Sequence, residues 1–142
     1  MRITTDKSEL DIELIHHYLS QESYWARNIP RELVERSIEN SVCFAAIEGG
    51  RQVGFARVVT DYAVFAYIGD VFVLPSHRGR GVSKLLMAAI CEHPSLQGLR
   101  RWHLLTSDAH KLYEQFGFRT VAKPELHMER RVANPYGPRS DE

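Results

Sequence analysis

The chain has 142 residues, 44% of them hydrophobic and 25% charged, which suits one compact domain with its own core and excludes a mostly disordered chain. Eighteen basic residues balance eighteen acidic ones, so the basic excess of a dedicated nucleic-acid binder is absent. No apolar run reaches membrane-span length, and no apolar stretch follows Arg2, so the expectation is a cytoplasmic protein with neither nucleic-acid nor membrane partners.

Residues 2–5 read as a short strand, followed by cap-type residues at 6–8. Leu10, Leu14, Ile15, Tyr18 and Leu19 then recur at helical spacing. Residues 20–28 are polar and aromatic and read as a loop. Pro30 opens a second helix whose apolar stripe is Leu33, Val34 and Ile38. Residues 41–47 and 52–60 are strand-like and flank Glu48-Gly49-Gly50-Arg51, a hairpin signal; 64–73 is a third strand, rich in β-branched and aromatic residues. Val82, Leu85, Leu86, Ala89 and Ile90 mark an amphipathic helix that ends at His93-Pro94. A short strand covers 102–105. Ser107 or Asp108 is expected to cap a helix with Ala109, Leu112, Tyr113 and Phe116 on its apolar face, and Gly117 closes it. Residues 118–121 and 126–131 read as two last strands, and 134–142 as a fraying tail.

The order β-α-α-β-β-β-α-β-α-β predicts an α+β (mixed α/β) single domain over 1–142. Its sheet is built from hairpins, carries helices on both faces and contains one βαβ unit around 79–105. Cys43 and Cys91 are far apart, and no cysteine or histidine run has zinc-ligand spacing, so no metal is expected.

The most informative stretch runs from Val71 through Phe72, Val73 and the turn 74–81 into Val82, Ser83 and Lys84. A strand feeds a glycine-rich turn that opens onto a helix, which leaves backbone N–H groups unpaired at the positive end of the helix dipole. Gly79 and Gly81 let the backbone approach a bulky anion, and Arg78, Arg80 and Lys84 can add charge, so a pyrophosphate is the natural guest. The spacing is neither a Walker loop nor a dinucleotide fingerprint. It also suits a tight turn with solvated arginines.

Arg78-Gly79-Arg80-Gly81-Val82-Ser83 resembles the Arg/Gln-x-x-Gly-x-Gly/Ala signature of the GNAT superfamily of acyl-CoA N-acyltransferases. Leu112-Tyr113-Glu114-Gln115-Phe116-Gly117-Phe118 resembles the second hallmark of that superfamily, Leu-Tyr-x-x-x-Gly-Phe. The interval between them fits one helix and one strand, and the element order agrees over essentially the whole chain. Ser83 departs from the usual Gly or Ala, and Thr106 from the Asn that often meets the pantetheine arm.

The resemblance implies a mostly antiparallel twisted sheet of six or seven strands, splayed at its centre and flanked by four helices. It also implies acetyl-CoA, or another short acyl-CoA, as co-substrate without a metal. Val71, Phe72 and Val73 would pair with the pantetheine arm, Arg78, Gly79, Arg80, Gly81, Val82, Ser83 and Lys84 would hold the pyrophosphate, and Thr106 would lie near the arm. A neutral amine would attack the thioester directly, with Tyr113 as general acid for the departing thiolate; Tyr113 also lies on a packing stripe. Asp70, a charge in an apolar strand, is the first candidate for the base, with His103 second and His110 and Ser107 behind; Asp70 could equally bond a loop amide. Tyr24, Trp25 and Asn28 would line the acceptor pocket, although Trp25 could also simply pack its loop. A small-molecule amine is the expected acceptor. A protein or peptide acceptor, or a non-catalytic acyl-CoA-binding domain, is the alternative, and the resemblance allows a homodimer.

Overall fold

The computed structural model describes residues 1–137. Five strands form one sheet in the order β1-β2-β3-β4-β5: β1 (Arg2–Thr4), β2 (Val42–Glu48), β3 (Arg51–Thr60), β4 (Phe65–Val73) and β5 (Arg101–Leu104). The first four are antiparallel neighbours, and β5 joins β4 in parallel. Gly49 and Gly50, both at positive φ, turn β2 into β3 in the two-residue manner that matches strand twist. At the next hairpin the Asp61 carboxylate accepts the N–H groups of Ala63, Val64 and Phe65 and so fixes the turn into β4.

The alternation of side chains sends two sets of apolar residues to opposite faces. On one face Cys43, Phe55 and Phe72 meet Ile15, Leu19, Val34 and Ile38 from α1 (Ile12–His17), its π-turn extension (Tyr18–Glu22) and α2 (Arg31–Glu39). On the other, Phe44, Ala46, Val58 and Ile68 meet Val82, Leu86, Met87 and Ile90 of α3 (Val82–Glu92) and Tyr113 of α4 (His110–Glu114). With both faces covered, β2 reads as a continuous apolar run rather than an alternating one. Gly54 sets how closely α3 approaches: a Cβ there would stand 3.2 Å from Val82 Cγ1 and 3.3 Å from both Ala46 Cβ and the Phe72 carbonyl oxygen. Among the described residues no helix is long and apolar enough to cross a membrane.

The structure departs from expectation at two places. The sheet has five strands among the described residues, not six or seven, because neither 118–121 nor 126–131 joins it. Pro124 supplies no N–H, and the N–H groups of Leu126 and His127 turn back to the carbonyls of Lys123 and Pro124 in a 3₁₀ turn. Residues 127–132 then run exposed, with Glu129, Arg130 and Arg131 in water. The start of α4 is also different: its N-cap position is Ala109, and Thr106 Oγ1, not Ser107 or Asp108, accepts the loop amides of Asp108 and Ala109.

Candidate active site

β4 and β5 are paired only from Phe65–Arg101 to Ile68–Leu104. Beyond that point β4 continues for five residues with no strand on its β5 side among the described residues, while the β5 chain leaves through the Thr106 turn into α4. The divergence has a local cause. Phe55 faces Phe72 and Arg57 faces Gly69, so Asp70 and Val71 together oppose Ala56 in a β-bulge. Asp70 sits there at φ 54°, and a bulge sharpens strand twist. The sheet therefore opens into a wedge at Gly69–Val73, and the candidate residues gather around it.

At one end of the wedge lies the glycine-rich loop. A 3₁₀ turn over Pro75–His77 leads to Gly79 and Gly81, at φ 75° and 79°. Gly81 is the N-cap of α3 and offers no side chain to its amides. Among the described residues the N–H groups of Gly79 to Lys84 take no hydrogen-bond acceptor; the next amide, Leu85, bonds the Gly81 carbonyl at 3.1 Å. Six successive open donors at a helix start make an anion cradle, and both glycines face open space, so residues and geometry fit a diphosphate. The arginine side chains are engaged elsewhere. Arg78 bonds the Val73 carbonyl (3.0 Å) and the Tyr18 hydroxyl (2.9 Å), and Arg80 forks onto Glu48. Lys84 is exposed and has no ion-pair partner among the described residues. Val82 is buried, Ser83 half-buried, and Phe72 and Val73 turn their side chains into the core, so these four can serve a ligand chiefly through the backbone.

At the other end a cavity of about 940 Å³ is bordered by Tyr24, Trp25, Asp70, Val71, Thr106 and Tyr113. Tyr113 is 8% exposed, and burial, with Tyr24 and Asp108 nearby, pushes its hydroxyl pKa up to about 12. That hydroxyl has no hydrogen-bond partner among the described residues and borders the cavity. The Asp70 carboxylate accepts Trp25 Nε1–H at 2.8 Å and Arg57 Nε–H at 2.8 Å, and Arg57 reaches on to Ser41 Oγ at 3.0 Å. Tyr24 packs edge-on against Trp25 and accepts the Ser107 hydroxyl at 2.8 Å. The loop after α1 thus spans the wedge, tied to β4 through Trp25 and to the β5–α4 turn through Tyr24.

Other candidates lie elsewhere. Asn28 does not line the cavity; at φ 65° it is a turn residue, exposed, with its amide on the Ser20 carbonyl. His103 stacks between Tyr67 and His127, at 5.9 and 6.1 Å, and neither it nor His110 borders the cavity. Sequence reading missed Arg57, whose charge in an apolar strand was the same signal that marked Asp70. It also missed Glu129, Arg131 and Tyr136, which line the cavity from the C-terminal segment and carry no local signal.

Comparison with known proteins agrees with this geometry. The family model described as an acetyltransferase (GNAT) domain matches residues 39–120. A protein of Gibberella zeae provisionally assigned as an acetyltransferase is 31% identical over 133 residues, covering 78% of this chain and 74% of its own. A solved Xanthomonas campestris structure, provisionally assigned as a GNAT-family acetyltransferase, is 57% identical with a TM-score of 0.94, covering 96% of each chain. Mycobacterium tuberculosis Rv2747, solved in complex with CoA and NLQ, shares the fold at 14% identity and a TM-score of 0.70, covering 85% of this chain and 73% of that one. The family model spans more than half of the chain and the relatives carry the same family assignment, so the protein belongs to the GNAT acetyltransferases, the acyl-CoA-dependent N-acetyltransferases.

Proposed function

We propose that the protein transfers an acetyl group from acetyl-CoA to the primary amine of a small molecule by direct attack on the thioester. The observation that carries this reading is the wedge itself, with six open amides at one end and Tyr113 and Asp70 in one cavity at the other. Bound acetyl-CoA supplies the activated acyl group as a thioester. The amides of Gly79 to Lys84, with Lys84 beside them, take the diphosphate, and the free side of Val71–Val73 offers main-chain groups to an extended arm, as an added strand would. Tyr113 keeps its proton at neutral pH, donates it towards the departing sulfur, and regains one, directly or through water, from the nitrogen as the amide forms. The Asp70 carboxylate, 2.8 Å from Arg57 Nε, takes the proton of the incoming ammonium, directly or through water. Tyr24 and Trp25 form the wall against which the acceptor packs. A cavity of about 940 Å³ lined by Tyr24, Trp25 and Asp70 has room for a compact acceptor.

The test is thiol release from acetyl-CoA against a panel of primary amines. Release that depends on one class of small amine supports the reading. Tight CoA binding with no release for any amine would replace it with a non-catalytic acyl-CoA-binding role. Release only with peptides or proteins would move the acceptor class.

A further inference from the structure

The loop that offers the open amides has little to hold its shape. Its backbone makes two bonds of its own, from His77 N–H to the Leu74 carbonyl (2.9 Å) and from Arg78 N–H to the Pro75 carbonyl (3.4 Å). Among the described residues no amide from Gly79 to Gly81 is bonded, and two of the three residues are glycines, the residue type with most freedom to lose. The conformation must therefore come from side chains. On one flank Arg78 is the anchor, on Val73 and Tyr18. On the other flank every anchor converges on one residue outside the loop. Glu48, the last residue of β2, accepts Arg80 through both terminal nitrogens at 2.8 and 3.1 Å, and stands 3.0 Å from His77 Nε2, whose Nδ1 lies 2.8 Å from Ser76 Oγ.

We propose that Glu48 is a positioning residue for acyl-CoA binding: from the β2–β3 hairpin it grips Arg80 and His77 and so holds the loop in the shape that leaves the amides of Gly79 to Lys84 open. The proposal rests on the reading that this loop takes the diphosphate. The forked Arg80–Glu48 pair fixes orientation as well as distance, which a single lysine contact would not. Arginine chiefly, and His77 after it, hold the Glu48 carboxyl below the usual carboxylate range, so it stays an acceptor. The Arg80 charge is already matched by Glu48, so the anion's partners are the main-chain donors, the helix dipole and Lys84. The Arg80 side chain is an anchor and not a phosphate ligand; only its backbone amide faces the anion.

The experiment compares Glu48→Gln with wild type in CoA affinity by calorimetry and in KM and kcat with acetyl-CoA and with S-acetylpantetheine, which lacks the diphosphate. CoA affinity should weaken, and the acetyl-CoA KM rise, by about tenfold, the scale of one charged hydrogen bond acting indirectly. Saturated kcat and the S-acetylpantetheine KM should not change. Arg80→Gln should match it, and the double variant should be no worse than either single one, because both remove one anchor. Unchanged CoA binding in Glu48→Gln would overturn the proposal, and tighter binding would overturn it and make the Arg80 side chain a phosphate ligand held back by Glu48. Equal weakening with S-acetylpantetheine, or additive losses in the double variant, would overturn it as well. Wild type that binds CoA no better than pantetheine would instead remove the diphosphate reading, and the proposal with it.

Discussion

Tyr113 and Asp70 border the same cavity with different partners: the Tyr113 hydroxyl has none among the described residues, and the Asp70 carboxylate has two. Burial disfavours the Tyr113 phenolate and pushes its pKa up to about 12, so the proton stays on oxygen across any ordinary assay pH. A group so weakly acidic gives up its proton only as negative charge grows on the sulfur. Tyr113→Phe should lower kcat by about 100-fold, the usual scale for a positioned acid, with CoA affinity unchanged. Equal kcat in the variant would remove the acid assignment. The Asp70 carboxylate accepts hydrogen bonds from Arg57 and Trp25. Asp70→Asn should cost about 100-fold in kcat at neutral pH, with part regained as rising pH deprotonates the amine in solution. Trp25→Phe keeps the ring, loses only the hydrogen bond, and should cost far less. Equal losses in the two variants would mean that Asp70 acts by holding Trp25, not as a base. Asp70 stood out in the sequence as a charge in an apolar strand, whereas Tyr113, on a packing stripe, and Trp25, in a loop, were singled out only through the resemblance. Arg57 was as visible, but pairing it with Asp70 needs the bulge that shifts β4 against β3, and one sequence does not reveal a bulge.

At the scale of elements the phosphate loop depends on where α3 stands, and Gly54 sets that height. A Cβ at 3.2 to 3.3 Å from Val82, Ala46 and Phe72 is tighter than packed interiors normally hold, and two of those neighbours are a small side chain and a backbone oxygen that cannot swing away. Gly54→Val should destabilise the fold by about 1–3 kcal/mol through overpacking. Its first effect should fall on Val82, the residue after the N-cap of α3. Thermal melts should show the loss, and acetyl-CoA KM should rise more than the acceptor KM. A destabilised variant with both KM values unchanged would separate α3 height from cofactor binding. The hairpins and α3 were readable because turn glycines and a 3.6-residue period are local signals. The last two expected strands were not, because an apolar-polar alternation in 126–131 states only that the segment can extend. Whether it pairs depends on Pro124 and on where the preceding turn spends its amides.

Across the whole molecule, the burial that keeps Tyr113 protonated also predicts how the fold responds to alkali. Two acids are affected most: burial pushes the Cys43 thiol from 9.0 to about 11 and the Tyr113 hydroxyl from 10.0 to about 12. In the unfolded chain they ionise near the lower values; in the fold they hold on to their protons. Above pH 9 the unfolded state therefore binds fewer protons than the native state, and stability falls as pH rises. The thiol contributes this slope between about pH 9 and 11 and the phenol between about pH 10 and 12, each on the order of 2 kcal/mol across its window. Melting temperatures should be insensitive to these groups from pH 7 to 8.5 and should decline beyond 9. Cys43→Ala leaves a small hole and lowers the baseline at every pH, but it should flatten the decline between 9 and 11. Tyr113→Phe should flatten only the part above 10. A Cys43→Ala protein that loses stability over pH 9 to 11 as steeply as wild type would show that this thiol is not the buried acid responsible, and the slope would have to come from groups that the packing around β2 does not enclose.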